Sequence, residues 1–210
     1  MDQPVLSSWP ARASRAEPAE RADAARNRRL LLATAREMLA AEGVDKLTMD
    51  GLAERAGLGK GTVFRRFGTR AGIFRALLDD AERAFQELVL TGPPPLGPGA
   101  PPLDRLVAYG QARIDFLIEH RDIARATLDG SQPIPAGSRT PMSQLHIKIL
   151  LSQIDLGPAD LDMLAVQLTA ALEGPLLLYL SADDLAEPAP QTAARIVRAW
   201  HDLIHRACRR

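Results

Sequence analysis

Cysteine is nearly absent: Cys208 is the only one in 210 residues. An intrachain disulfide and a cysteine metal cluster are therefore excluded, which fits a reducing cytoplasm. Aromatic residues make up only 4% of the chain. Lysine occurs only at Lys46, Lys60 and Lys148, so arginine carries most of the positive charge. Such a bias often reflects a GC-rich genome, and single arginines deserve little weight by themselves. The most apolar run, around Leu176 to Leu180, is far too short to span a bilayer. Residues 1–20 lack an apolar stretch and carry Pro4, Pro10 and Pro18, which is not the pattern of a secretion signal. No apolar alternation bounded by hairpin dipeptides suggests a strand. No Ser nucleophile elbow, Gly-rich phosphate loop or Cys/His dyad is present. The expectation is a cytoplasmic, non-membrane protein that is not an enzyme and needs no cofactor.

What is present is unevenly placed. The formal net charge is +0, yet residues 21–70 hold 11 Lys/Arg against 6 Asp/Glu, and residues 71–210 hold 13 against 17. A basic N-terminal quarter on a mildly acidic body points to a local surface for a polyanion. The periodicity is helical throughout. Residues 1–22 read as a disordered arm. From Asp23, the apolar positions Leu31, Ala35, Met38 and Leu39 fall at helical spacing, and Gly43 closes the segment. Two short helices are expected at 48–56 and 60–67, then a longer one at about 70–90. A Gly/Pro break spans Thr91 to Pro102. Further helices are expected near 103–119, 121–129, 141–156, 159–181 and 189–208. The fold class is all-α with about nine helices, divided into an N-terminal unit at 23–69 and a helical body at 70–210.

The chemistry is concentrated in residues 47–67. Thr48 can cap a helix by accepting a free backbone N–H. Leu52, Ala53 and Ala56 give that helix an apolar face, and Gly57 suits a tight turn. Leu58, Val63 and Phe67 anchor a second helix. This is the pattern of a helix-turn-helix. Left pointing outward are Lys60, Gly61, Thr62, Phe64, Arg65 and Arg66, near a helix start whose free N–H groups favour phosphate. Lys and Arg there can reach guanine acceptors or phosphates.

Ala53-Glu54-Arg55-Ala56-Gly57-Leu58-Gly59-Lys60-Gly61-Thr62-Val63-Phe64-Arg65-Arg66-Phe67 resembles the helix pair of the TetR (tetracycline-repressor-like) family. Thr69-Arg70-Ala71-Gly72-Ile73-Phe74 resembles the start of that family's fourth helix, and Ala35 to Gly43 its first. The resemblance covers about residues 26–75. It implies a sequence-specific DNA-binding regulator, a repressor released by a small-molecule effector. Lys60, Gly61, Thr62 and Arg65 would face the major groove, with Phe64 against a base or sugar. Thr48, Arg66 and Arg70 would lie toward phosphates, and Arg26, Arg28 and Arg29 would add backbone or minor-groove contacts. The family often has Tyr at the position of Phe64, His at Arg66 and a Ser cap at Gly59. These departures would change operator preference rather than abolish binding.

For the body the resemblance is architectural only. It implies a homodimer paired through the last two helices and reading a palindromic operator, with half-sites about one DNA turn (~34 Å) apart. The stripes available are Leu161, Leu164, Leu168, Leu172 and Leu176, followed by Ile196, Trp200, Leu203 and Ile204; an intrachain core would use the same stripes. Effector contacts would come from Tyr109, Arg113, Phe116, His146 and Gln167, in an apolar cavity among the helices at 103–119, 141–156 and 159–181. Pro175 is expected to kink its helix. Glu173 reads as a solvated charge, the alternative being a polar group facing the pocket. His201 and His205 share a helix face at metal-ligand spacing, but no third ligand is evident and a metal enzyme is rejected. The other alternative is a helical protein-interaction adaptor.

Overall fold

The computed structural model describes residues 18–127, 142–180 and 189–208, with side chains for 22–127, 142–175 and 191–208. Among these residues there are nine α-helices and no strand. They are α1 (Pro18–Glu42), α2 (Met49–Ala56), α3 (Lys60–Phe67), α4 (Arg70–Thr91) and α5 (Pro102–Glu119), then α6 (Arg121–Ala126), α7 (Met142–Leu151), α8 (Leu161–Leu180) and α9 (Ala189–Ala207). A single 3₁₀ turn, Val44–Lys46, joins α1 to α2.

The helix starts follow local chemistry. The Thr48 hydroxyl accepts the Gly51 N–H at 3.0 Å and caps α2. Thr69 accepts the Gly72 N–H at 3.1 Å and caps α4. Gly57 ends α2 in the left-handed region (φ 64, ψ 28), where a side chain is disfavoured. α1 begins at Pro18, earlier than the sequence suggests, so residues 18–22 are helical and not part of the arm. Proline is tolerated in the first helical turn because the N–H it lacks has no partner there. Residues 1–17 lie outside the described residues.

α7 ends at Leu151, short of the expected 156. Asp155 accepts the Gly157 N–H at 3.3 Å, and Asp160 accepts the Met163 N–H at 3.0 Å to start α8. These side-chain bonds give the backbone an alternative to the helix. α8 continues through Pro175 to Leu180.

Two cores form. The N-terminal one packs Leu31, Leu32, Ala35 and Met38 of α1 with Leu47, Leu52, Ala53 and Val63 and with Ile73, Phe74 and Leu77 of α4. Ile123 and Ala126 of α6 pack against it. The second core joins Phe85 and Val89 of α4 to α5, α7, α8 and α9. α4 thus belongs to both cores, and the expected domain edge at 69/70 falls inside a continuously packed region. The buried apolar faces are what make these helices stable at such lengths.

Leu168, Leu172, Trp200 and Ile204, expected in a dimer interface, are buried within the chain's own core at 3% exposure or less. Leu161, Leu164 and Ile196 are half-buried against the same core, and Leu203 is exposed. The Leu176 side chain lies outside the described residues. The stripe residues of α8 and α9 therefore serve mainly intrachain packing. A buried stripe of this kind satisfies the hydrophobic effect without a second copy.

Candidate nucleic-acid interface

α3 is held by one fully buried residue, Val63, with Phe67 and Leu58 packed beside it. Its other side chains are turned away from the core. Lys60, Arg65 and Arg66 are exposed, Thr62 is half-buried, and Phe64 is 65% exposed. The Phe64 ring adds an apolar surface to the outer face of α3. No acidic residue lies on α3, and Gly61 leaves its first turn open on the outer side.

The cations are differently engaged. Lys60 Nζ is 2.9 Å from Asp50, with both side chains about 70% exposed, an ion pair too wet to hold the amine against a phosphate. Arg65 Nε donates to Gly61 O at 3.3 Å along its own helix. Arg66 Nη2 donates to Ala24 O of α1 at 3.0 Å, so it ties the recognition helix to the first helix. Arg70 departs from the sequence expectation. Its Nε donates to Leu47 O at 2.7 Å and its Nη2 to Val44 O at 2.6 Å, while its guanidinium lies 4.9 Å from the Phe74 ring centre. It clamps two carbonyls of the turn before α2, and Val44 O also accepts the Leu47 N–H at 3.3 Å. Thr48 keeps its hydroxyl hydrogen free to donate while its oxygen serves the cap.

Arg26 pairs with Asp23 at 2.7 Å on the exposed face of α1. Arg28 and Arg29 instead line an open groove of about 460 Å³ between α1 and α4, with Arg36, Arg83 and Asp80. Asp80 pairs with Arg36 and with Arg83. The sequence reading missed Arg36 and Arg83. The seven-residue step from Arg29 to Arg36 was a signal that both lie on one helix face.

The expected effector residues divide. Tyr109, Arg113, Phe116 and His146 are buried together, whereas Gln167 is exposed on α8. Among the described residues, Tyr109 and His146 border a space of about 20 Å³, room for one water molecule. A polar network lies beside it. Arg113 Nη1 donates to both oxygens of Glu82, at 2.9 and 2.7 Å, and Nε donates to Glu173 Oε1 at 3.2 Å. Ser143 Oγ donates to the same Glu173 oxygen at 2.9 Å, and Tyr109 donates to Ser143 Oγ at 2.8 Å. Glu173 is 9% exposed and is not the solvated charge expected from sequence. Arg113 supplies the counter-charge that makes its burial tolerable. Glu82 and Ser143, which complete the network, carried no sequence signal separable from ordinary helix surface.

Burial pushes the Tyr109 hydroxyl up to about 12. Burial disfavours the charge on Arg113, but Glu82 and Glu173 outweigh it and hold the guanidinium above its ordinary value. Burial, aided by Arg105, pushes His146 down to about 4, and its Nε2 is buried without a hydrogen-bond partner. The folded chain therefore keeps His146 neutral to about pH 4, while the unfolded chain protonates it near the ordinary histidine value of 6.5. As pH falls through that window the unfolded state binds the proton first, so the His146 contribution to stability is lost, by up to about 3 kcal/mol. His146→Gln is expected to flatten the stability–pH curve between about pH 6.5 and 4 relative to the parent, as read by urea midpoints.

Residues 31–77 match the family described as bacterial regulatory proteins, tetR family. A TetR-family transcriptional regulator from Pectobacterium atrosepticum superposes with a TM-score of 0.66 at 18% identity, covering 90% of this chain and 98% of that one. A regulator of the TetR/AcrR family from Thermobifida fusca gives 0.57 at 18%, covering 88% and 100%. A TetR-family regulator from Pseudomonas syringae pv. tomato gives 0.51 at 19%, covering 85% and 94%. No curated protein matches by sequence. Residues 31–77 thus match a tetR-family regulatory domain, and the structural neighbours show that the all-α fold extends through the remaining helices. Among the described residues, no helix is long and apolar enough to cross a membrane.

Proposed function

We propose that the chain is a cytoplasmic repressor that binds a palindromic operator as a homodimer and is released by a small-molecule effector. The observation that carries the DNA-binding geometry is the outer face of α3. An exposed aromatic ring is flanked there by Lys60, Arg65 and Arg66, on a helix anchored by buried Val63. Lys60, Gly61, Thr62, Phe64 and Arg65 enter the major groove. Arg66 and Thr48 lie at the backbone, and Arg26, Arg28 and Arg29 supply positive charge from α1. Arg70 acts indirectly, by fixing the turn before α2.

The test is selection of bound sites from a random DNA pool, followed by variants on the selected duplex and on random duplex across a salt series. Lys60→Ala and Arg65→Ala are expected to weaken operator binding by about 1–3 kcal/mol while barely changing random-sequence binding. Operator affinity equal to the parent in both would refute the recognition-helix assignment. Equally weak binding of all sequences by the parent would favour the adaptor reading.

The dimer is assigned to the outer face of α8 rather than to its buried stripe. From Met163 to Ala171 that face presents Met163, Val166, Gln167, Ala170 and Ala171, all exposed and all uncharged. Small and apolar residues in this pattern let a second helix approach closely. Leu203 of α9 is a further exposed apolar residue. Val166→Glu places a charge on that face without touching the intrachain core. It is expected to turn a dimer into a monomer in sedimentation at micromolar concentration while the thermal transition persists; an unchanged dimer would rule out this face.

The effector reading rests on the orphaned His146 Nε2 beside Tyr109 and on the buried polar network. These groups cost folding energy that an apolar core would not. On this reading an effector acts by binding one conformation of the body more tightly than another. α4 and α6 pack against the N-terminal core and are continuous or contiguous with the body, which gives such a change a physical route to α3.

A further inference from the structure

His201 and His205 of α9 lie outside everything the DNA-binding and effector readings use. They follow Trp200 and Ile204 by one residue each, so they flank the helix face that enters the core. Their Nε2 atoms are 3.2 Å apart and their ring centres 4.3 Å apart. His201 is exposed and His205 half-buried. Two imidazole nitrogens bound to one tetrahedral metal at about 2.0–2.1 Å are separated by roughly 3.3 Å. The rings therefore already stand at the spacing of a bidentate chelate. The helix fixes that spacing, so little conformational entropy is lost on binding.

We infer that His201 and His205 form a surface site for a borderline divalent cation of the zinc, copper and nickel class, which clips the last turns of α9. Neutral imidazole suits these ions and is a poor ligand for calcium or magnesium. One chain supplies two ligands. Among the described residues no group of three His, Cys, Asp or Glu converges on a metal position, so solvent completes the coordination. Cys208, three residues beyond His205, is packed against the core and its thiol is pushed up by burial, so it is not a third ligand. The open coordination positions and the two-ligand set make the site a reversible clip and not a catalytic centre. Because the adjoining face of α9 docks Trp200 and Ile204, metal binding stabilises the body through the helix it rigidifies.

The alternative use of the same geometry is a hydrogen bond between the two rings, which needs one Nε2–H and one bare Nε2. Titration calorimetry with zinc chloride on the full-length protein, first freed of metal with a chelator, separates the two. The expected result is one zinc per chain with micromolar affinity. His201→Gln and His205→Gln, measured separately, should each weaken binding by at least about tenfold, because each removes half of the chelate. The zinc-dependent rise in thermal midpoint should vanish in both, and their metal-free midpoints should stay near the parent's, because His201 is exposed and glutamine keeps much of the size and polarity of the half-buried His205. Absence of zinc binding at 100-fold excess over protein, or binding that survives in both variants, would overturn the assignment.

Discussion

Arg113→Ala is expected to cost about 3–5 kcal/mol, the typical result of removing one partner from a buried ion pair. Arg113 is 3% exposed in its side chain, and its partners Glu82 and Glu173 are 17% and 11% exposed. Truncation would leave two carboxylates facing each other's charge in a core of Phe85, Phe116 and Tyr109. The guanidinium also lies 5.6 Å from the Phe85 ring centre and 5.1 Å from that of Phe116, so packing is lost together with charge. For a chain of this size each kcal/mol moves the thermal midpoint by about 2–4 °C, so a fall of roughly 6–20 °C is expected by calorimetry. The triple variant Arg113→Met, Glu82→Gln, Glu173→Gln should recover most of that loss, since it removes the uncompensated charges as well. A single variant that melts with the parent would show that the network is not buried in solution.

Gly110→Ala is expected to be nearly as damaging, at about 3 kcal/mol, the upper part of the overpacking range. A Cβ built at Gly110 would stand 1.8 Å from Trp200 Nε1 and 2.1 Å from Cε2. Trp200 cannot retreat at low cost. It is 3% exposed, and its indole N–H donates to Leu106 O at 3.3 Å, one turn before the glycine. α9 must therefore lift away from α5. The measurement is the urea midpoint together with Trp200 fluorescence in a Trp9→Phe background, Trp9 and Trp200 being the two tryptophans of the chain. A red shift of the emission is expected as the indole meets water. Gly110→Ala with Trp200→Phe should be less destabilised than the sum of the two single changes, because the clash is a pairwise term. Additive losses would show that α9 does not pack there.

Both effects lie in the body, where the sequence was least legible. The helices themselves were readable because local signals agreed. Thr48 and Thr69 cap, Gly57 terminates, and the proline-rich stretch before α5 separates it from α4. The helix-turn-helix was readable for the same reason, since its core positions Leu52, Ala53 and Val63 and its outward positions Lys60, Phe64 and Arg65 are fixed by the registers of two short helices. Only the starts and ends moved, as with α7, where Asp155 and Asp160 offered the backbone competing bonds.

Partnerships between distant residues were not readable. Glu173 looked like a surface charge because nothing near it in sequence reveals Arg113, sixty positions away. Arg70 looked like a phosphate ligand because a cation at a helix start usually is one, yet two carbonyls of the preceding turn claim it. The leucine stripe of α8 could serve a core or a second copy, since the hydrophobic effect is non-directional and rewards either burial equally.

The sequence by itself determined the all-helical class, the position of the DNA-binding helix pair and the residues its recognition helix turns outward. These follow from periodicity and capping, which act over a few residues. Only the tertiary structure decided that Leu168, Leu172, Trp200 and Ile204 are spent inside one chain, while Met163, Val166 and Ala170 stay exposed. It alone decided that Arg113, Glu82 and Glu173 meet in a buried ion network. Those outcomes depend on which helices meet and at what depth, and that is set by packing volume and charge pairing across the whole chain.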